Sequence, residues 1–423
     1  MTEPAALRHR ASPVDRSSDR WVVLVAILAS VAFLLAAIVA MFLPEIERRG
    51  AWLPLHLALA GAATTAISGV MPFFAAALAA APPSDVRLRM VSVGAVALGA
   101  AAVALGVAGN LVWLAVAGGC GYVAGIMLTA GATVRPLARA LGPSRGLVTQ
   151  GYVVALGEVA VGASLATLYV AGWPPIVSDW ALIKPAHAWL NLVGFVSLVI
   201  ATTLLHFFPT VIGARIVPQL SARLTVVGLA AGAPVIALGI AISSDPVARL
   251  GAIAVISGAT GLAVYVGRAW QSRARWTTDR AWHLFAIAGL VSAILWLEIG
   301  LAVAAGRVLA FGAEPAGWNV ETIAGPLIVG WVGLAIVASA THLLPAIGPG
   351  DAATHARQRR RLGRWARMRL VLLNAGVLGL AVGLPLDLPP LVGLGATLVA
   401  LGLGITVGLL GTAVGMGIRR PHI

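Results

Sequence analysis

The sequence predicts an all-α, polytopic membrane bundle of about twelve transmembrane helices. Three observations carry this. The 423 residues are 60% hydrophobic and only 10% charged, with a mean hydropathy of +0.95, whereas a soluble domain needs about 25% charged residues to cover its surface. The apolar residues fall into runs near the roughly 20 residues that a helix needs to cross hydrocarbon. The arginines sit mostly between those runs, in alternation along the chain.

The runs are 21–43, 52–80, 90–108, 110–132, 148–171, 187–212, 222–243, 247–267, 281–305, 322–346, 369–386 and 390–417. The first exceeds the roughly 7–15 residues of a signal-peptide core, so it reads as an uncleaved first span. A basic tail, residues 1–20, precedes it with Arg8, Arg10, Arg16 and Arg20. Only Gly109-Asn110 divides the third run from the fourth. Backbone groups in lipid must bond internally, and runs of this length satisfy that as helices rather than barrel strands. The 49 glycines supply close helix contacts, with Gly118-Gly119 marking a tight crossing or bend, and Pro72, Pro209, Pro234 and Pro326 mark kinks or ends. No short-period repeat is evident. The organisation is one transmembrane domain, 21–418, between the tail and a short C-terminus, 419–423.

Charge tests the count. With the tail in the cytoplasm and sides alternating, only Arg48, Arg49, Lys184, Arg249 and Arg307 fall outside, against all the rest of the 29 Lys and Arg. That bias is the positive-inside pattern, and it puts both termini in the cytoplasm of a multi-pass plasma-membrane protein. The net charge of +14 therefore follows topology and does not imply nucleic acid. The basic loop 348–368 is expected to lie on anionic lipid. The lone Cys120 excludes an internal disulfide and a cysteine cluster, and it is expected to be a buried small hydrophobe.

Alternation assigns sides to the histidines. His56 and His187 open spans two and six at the outer surface, with Asn191 four residues below His187 on the same helical face and Glu45, Glu47 and Asp179 in nearby loops. His206, His283 and His342 form a second group at the inner surface. His187 and His206 lie roughly 28 Å apart along one helix at about 1.5 Å per residue, close to one hydrocarbon thickness. Neutral imidazole is the commonest metal and haem-iron ligand, and two imidazoles from separate helices can hold a haem iron or begin a copper site. The plainer reading of each is an amphipathic residue at the interface. Glu158 and Glu298 lie within spans, where an ionised carboxylate costs about 2.5 kcal/mol or more at the centre, so they are expected to face a polar interior. They could relay protons, bond a propionate or quinone, or simply bond a neighbouring helix as the protonated acid. No P-loop, dinucleotide fingerprint, HExxH or serine triad order is present.

The motifs Trp52-Leu-Pro-Leu-His56-Leu-Ala-Leu-Ala-Gly61, His187-Ala-Trp-Leu-Asn191-Leu-Val-Gly-Phe195, Gly330-Trp331 and Leu343-Leu-Pro345 resemble those of twelve-span relatives of haem-copper oxidase subunit I. The resemblance is nearest to the membrane part of actinobacterial multicopper-oxidase or nitrite-reductase-like proteins. It implies that His56 corresponds to a low-spin haem ligand and that His187 lies near a copper ligand. It also implies departures. Span seven, Arg223 to Ser243, holds no histidine for further copper ligands, and Glu321 to Gly333 holds none for axial haem positions. The cupredoxin domains of such relatives are expected on another chain.

The resemblance implies a haem- or copper-binding membrane protein. It would pass electrons or metal to a cupredoxin or multicopper partner on the outer face, in nitrite, nitric-oxide or copper metabolism, without a complete oxygen-reducing centre. Two alternatives stand beside it: a small-solute transporter coupled through Glu158 and Glu298, and a cofactor-free scaffold.

Overall fold

The computed structural model describes residues 16–138, 146–216, 219–275, 278–314, 320–348 and 350–418. The expected tail lies largely outside these residues, as do 419–423, His9 and His422. Twelve apolar helices cross the bundle: α1 (Trp21–Ala40), α2 (Trp52–Leu78), α3 (Val86–Ala108), α4 (Val112–Ala138), α5 (Leu147–Val170), α6 (Trp180–Ile212), α7 (Leu220–Ala241), α8 (Asp245–Gln271), α9 (Arg280–Phe311), α10 (Val320–Ala346), α11 (Ala366–Gly383) and α12 (Pro389–Ile418). There is no strand among the described residues. Several helices run beyond their apolar cores. The sixth starts at Trp180 rather than at His187, because Pro185 is accommodated inside the helix.

Three antiparallel hairpins, α3–α4, α7–α8 and α11–α12, are built alike. In each, the helix ends on a residue with positive φ: Asn110 at 56°, Ser243 at 53° and Asp387 at 48°. The next amide then reaches back to a glycine carbonyl: Leu111 to Gly106 at 2.7 Å, Ser244 to Gly239 at 2.7 Å and Leu388 to Gly383 at 2.9 Å. This is the reversal that lets a helix end with its last carbonyls satisfied. It makes Gly109-Asn110 a real boundary.

Glycine draws the paired helices together. A Cβ on Gly118 would lie 2.7 Å from the Val103 amide, one on Gly228 2.6 Å from the Ala254 carbonyl, and one on Gly376 2.8 Å from the Gly395 carbonyl. Packing of this kind replaces the hydrophobic effect as the adhesive between helices in lipid. Cys120 departs from expectation. Gly118 and Gly119 occupy the buried face, so the thiol is exposed on the bundle's outer surface.

The hairpins divide the bundle into three successive groups of four helices. The second helix of each group carries a π-helical stretch: Leu57–Ala63 in α2, Trp189–Ser197 in α6 and Ala324–Gly333 in α10. The third helices of the first and last groups repeat one more device. Arg89 and Arg369, both almost fully buried, donate to the preceding Ser84 and Leu362 carbonyls. A long-period repeat therefore exists where no short one was evident. One offset carries Gly194, Phe195, Val196, Leu198, His206 and Pro209 of α6 onto Gly330, Trp331, Val332, Leu334, His342 and Pro345 of α10.

These two helices form the centre. Within their apolar windows 78% of α6 and 67% of α10 is buried, more than in any other span. Trp331 donates its indole N–H to the Ser197 hydroxyl at 3.0 Å, tying the two π-helical stretches together.

Candidate functional site

The outer site begins with chain geometry. His56 is the last residue before the π-helical stretch of α2, and His187 lies two residues before that of α6. A π-helical turn widens the helix by one residue and redirects the side chains around it, and such turns concentrate at functional sites. The two stretches touch, which brings the helices that carry His56 and His187 together. Both imidazoles are half-buried.

Each ring meets a backbone carbonyl through Nδ1. His56 Nδ1 lies 2.9 Å from the Trp52 carbonyl oxygen, and His187 Nδ1 lies 2.8 Å from the Gly162 carbonyl oxygen on α5. A carbonyl only accepts, which calls for the proton on Nδ1; at His187 the Asn191 side-chain amide nitrogen, 3.1 Å from the same Nδ1, calls for the opposite tautomer. With the proton on Nδ1, as the carbonyl at His56 calls for, Nε2 keeps its lone pair as the available donor atom. Metal-bound histidines are usually oriented through the opposite ring nitrogen in this manner.

Neighbours complete the setting. Trp52 stacks on His56 at 4.2 Å between ring centroids, with 25° between the planes. Trp180 stacks on Tyr169 at 3.8 Å and approaches His187 at 6.4 Å. Asn191 donates its amide to the His187 carbonyl at 2.6 Å, bracing that turn. A Cβ on Gly162 would strike the Asn191 side chain, so the glycine is what lets α5 bring its carbonyl to the imidazole.

One turn along α5 from Gly162 lies Glu158, 7% exposed and with neither carboxylate oxygen partnered. It faces Gly194 of α6. Glu298 on α9 is half-buried, with Oε1 unpartnered. The structure thus places Glu158 on α5, the helix whose Gly162 carbonyl meets His187.

The inner histidines divide. Trp282 stacks on His342 at 5.0 Å, with 7° between the planes, and contacts His283 at 4.5 Å. His206 reaches this group through its neighbour Phe207, which meets His342 edge-on at 5.6 Å. Trp282 was not singled out from the sequence, and neither were Gly162, Ser197 or the three π-helical stretches. The signal that could have found part of this is the α6–α10 repeat, which aligns the motif His-x-x-Pro on both helices. Among the described residues no set of three or more His, Cys, Asp or Glu could hold a metal ion.

No family model matches the chain, and no curated protein matches it significantly. A solved structure does, one described as a haem-copper terminal oxidase dimer. It aligns over 95% of this chain and 84% of that chain with a TM-score of 0.62, at 12% sequence identity. This is the haem-copper oxidase fold. At that identity the similarity establishes how the haem-copper-oxidase-like bundle is arranged and says nothing by itself of cofactors. The twelve apolar helices and this shared fold agree with a multi-pass protein embedded in a lipid bilayer.

Proposed function

We propose that this chain is a membrane redox subunit that binds haem or copper near its outer face through His56 and His187. The observation that supports this is that each ring meets a backbone carbonyl through Nδ1, an arrangement that leaves Nε2 to ligate when Nδ1 holds the proton. The residues present fit a haem iron or a copper ion on this count. His56 and His187 would supply the donor nitrogens, Asn191 would keep the His187 turn in place, and Trp52 and Trp180 would shield the rings from water and lipid. A bound haem iron or copper would supply one-electron chemistry.

The remainder of the sequence narrows the role. With no histidine in Arg223–Ser243 or in Glu321–Gly333, the chain lacks donors for a full dioxygen-reducing centre. It would exchange electrons or metal with a cupredoxin or multicopper partner docking from outside, in nitrite, nitric-oxide or copper metabolism. A second reading, a proton-coupled carrier of a small solute, is favoured by one observation, the unpartnered buried carboxyl of Glu158.

An optical spectrum and metal analysis of the purified protein test the proposal. A Soret band or stoichiometric copper is expected. Colourless, metal-free protein that drives solute uptake in vesicles would replace this reading with the carrier.

A further inference from the structure

A dense group of arginines lies away from the outer histidines. A surface helix, Ala352–Leu362, follows α10 and packs on α12, with Leu362 fully buried and Gln358 donating to the Ala413 carbonyl at 2.8 Å. Where its end meets the start of α9, a cavity of about 260 Å³ opens, with Arg280, Arg359, Arg360, Arg364, Asp279 and Trp282 in its wall. This is several times the roughly 30 Å³ a water takes up in the liquid, room for a phosphate and its ester carbons.

Only one of the four arginines has an acid in the cavity wall. Arg359 Nε donates to Asp279 at 2.6 Å and sits over the Trp282 ring at 5.8 Å. Arg280, Arg360 and Arg364 are exposed, and the wall offers no second carboxylate to balance them. Three arginines lining one cavity repel one another unless an anion joins them, and the planar guanidinium matches phosphate oxygens two at a time.

Beside the cavity the surface turns apolar. Trp365, 56% exposed and held at a φ of 51°, carries the Arg364 guanidinium over its ring, and Met368 is 43% exposed. Exposed tryptophan marks the depth of lipid headgroups. An acyl chain lying along Trp365 and Met368 would bring its phosphate to the arginines.

We propose that this cavity binds the phosphate of an anionic membrane phospholipid. It is a specific headgroup site, beyond the diffuse attraction of a basic loop for a charged leaflet. It is independent of the outer histidines and stands whether or not they hold a cofactor.

The test is lipid retention by the full chain, read by native mass spectrometry after exchange into phosphatidylglycerol or phosphatidylcholine. The expected result is one tightly retained phosphatidylglycerol and no retained phosphatidylcholine. Each surface guanidinium contributes enough that Arg360→Gln with Arg364→Gln should weaken retention about thirtyfold. Arg360→Lys with Arg364→Lys should restore most of it, and Arg367→Gln, exposed but outside the cavity, should leave it unchanged. Equal retention of both lipids, or unchanged retention in the double glutamine variant, would overturn the proposal. Displacement of the lipid by inorganic phosphate alone would make this a soluble-anion site and overturn it too.

Discussion

Glu158 of α5 is pressed against Gly194 of α6, so closely that a methyl group on the glycine would strike the carboxylate. The contact lies one helical turn from the Gly162 carbonyl that holds His187. Gly194→Ala is expected to destabilise the protein by about 1–3 kcal/mol, the usual cost of overpacking. Glu158→Ala in the same chain should recover most of that loss, because the obstruction is the carboxylate itself. Thermal unfolding in detergent of the two single variants and the double variant checks this. Additive losses would mean that Glu158 and Gly194 do not meet.

The Trp331–Ser197 bond ties α10 to α6 at the centre of the bundle. Trp331→Phe keeps most of the packing and removes the bond, so the expected loss is about 0.6 kcal/mol, the mean for polar contacts between membrane helices. Trp331→Ala also empties a fully buried site and should cost about 3–5 kcal/mol. Equilibrium unfolding in mixed micelles measures both. Equal losses would show that the indole N–H rather than the ring volume dominates.

The surface helix Ala352–Leu362 begins on Asp351, whose carboxylate accepts the Thr354 amide at 2.7 Å. Bonds from Thr354, the hydroxyl foremost and then the amide, hold this carboxyl below the ordinary carboxylate value. A lowered value in the folded state means that the cap stabilises the helix above the ordinary carboxylate range. The contribution fades as pH falls through the lowered value. Amide exchange in the helix's first turn, corrected for intrinsic rate, should rise on acidification below that point. Asp351→Ala should show the faster exchange at neutral pH, and Asp351→Asn should retain part of the protection.

The twelve crossings were legible because lipid imposes a length and the cytoplasm attracts arginine, and both leave marks in a linear sequence. The facing of each helix was far less legible. A soluble helix shows its buried side as an apolar stripe, but a helix between lipid and protein is apolar all round. Cys120 illustrates the consequence: nothing in its neighbourhood distinguishes inward from outward except Gly118 and Gly119, which mark the packed face. The same reasoning explains the site. His56, His187 and Asn191 could be singled out as candidates because polar residues stand out against apolar runs. Their surroundings could not, since Gly162 and the π-helical turns beside them look like ordinary filler. The long repeat linking α6 to α10 was present in the sequence, spread across helices too far apart to register as a period.

The most direct test of the outer pair is the haem and metal content of purified wild-type protein, His56→Ala, His187→Ala and the double variant, each checked for intact fold by its thermal unfolding. If both imidazoles hold one cofactor, either single variant loses most of the content and the double variant loses little more. Full content in His56→Ala and His187→Ala alike, or no cofactor in the wild type, would contradict the assignment.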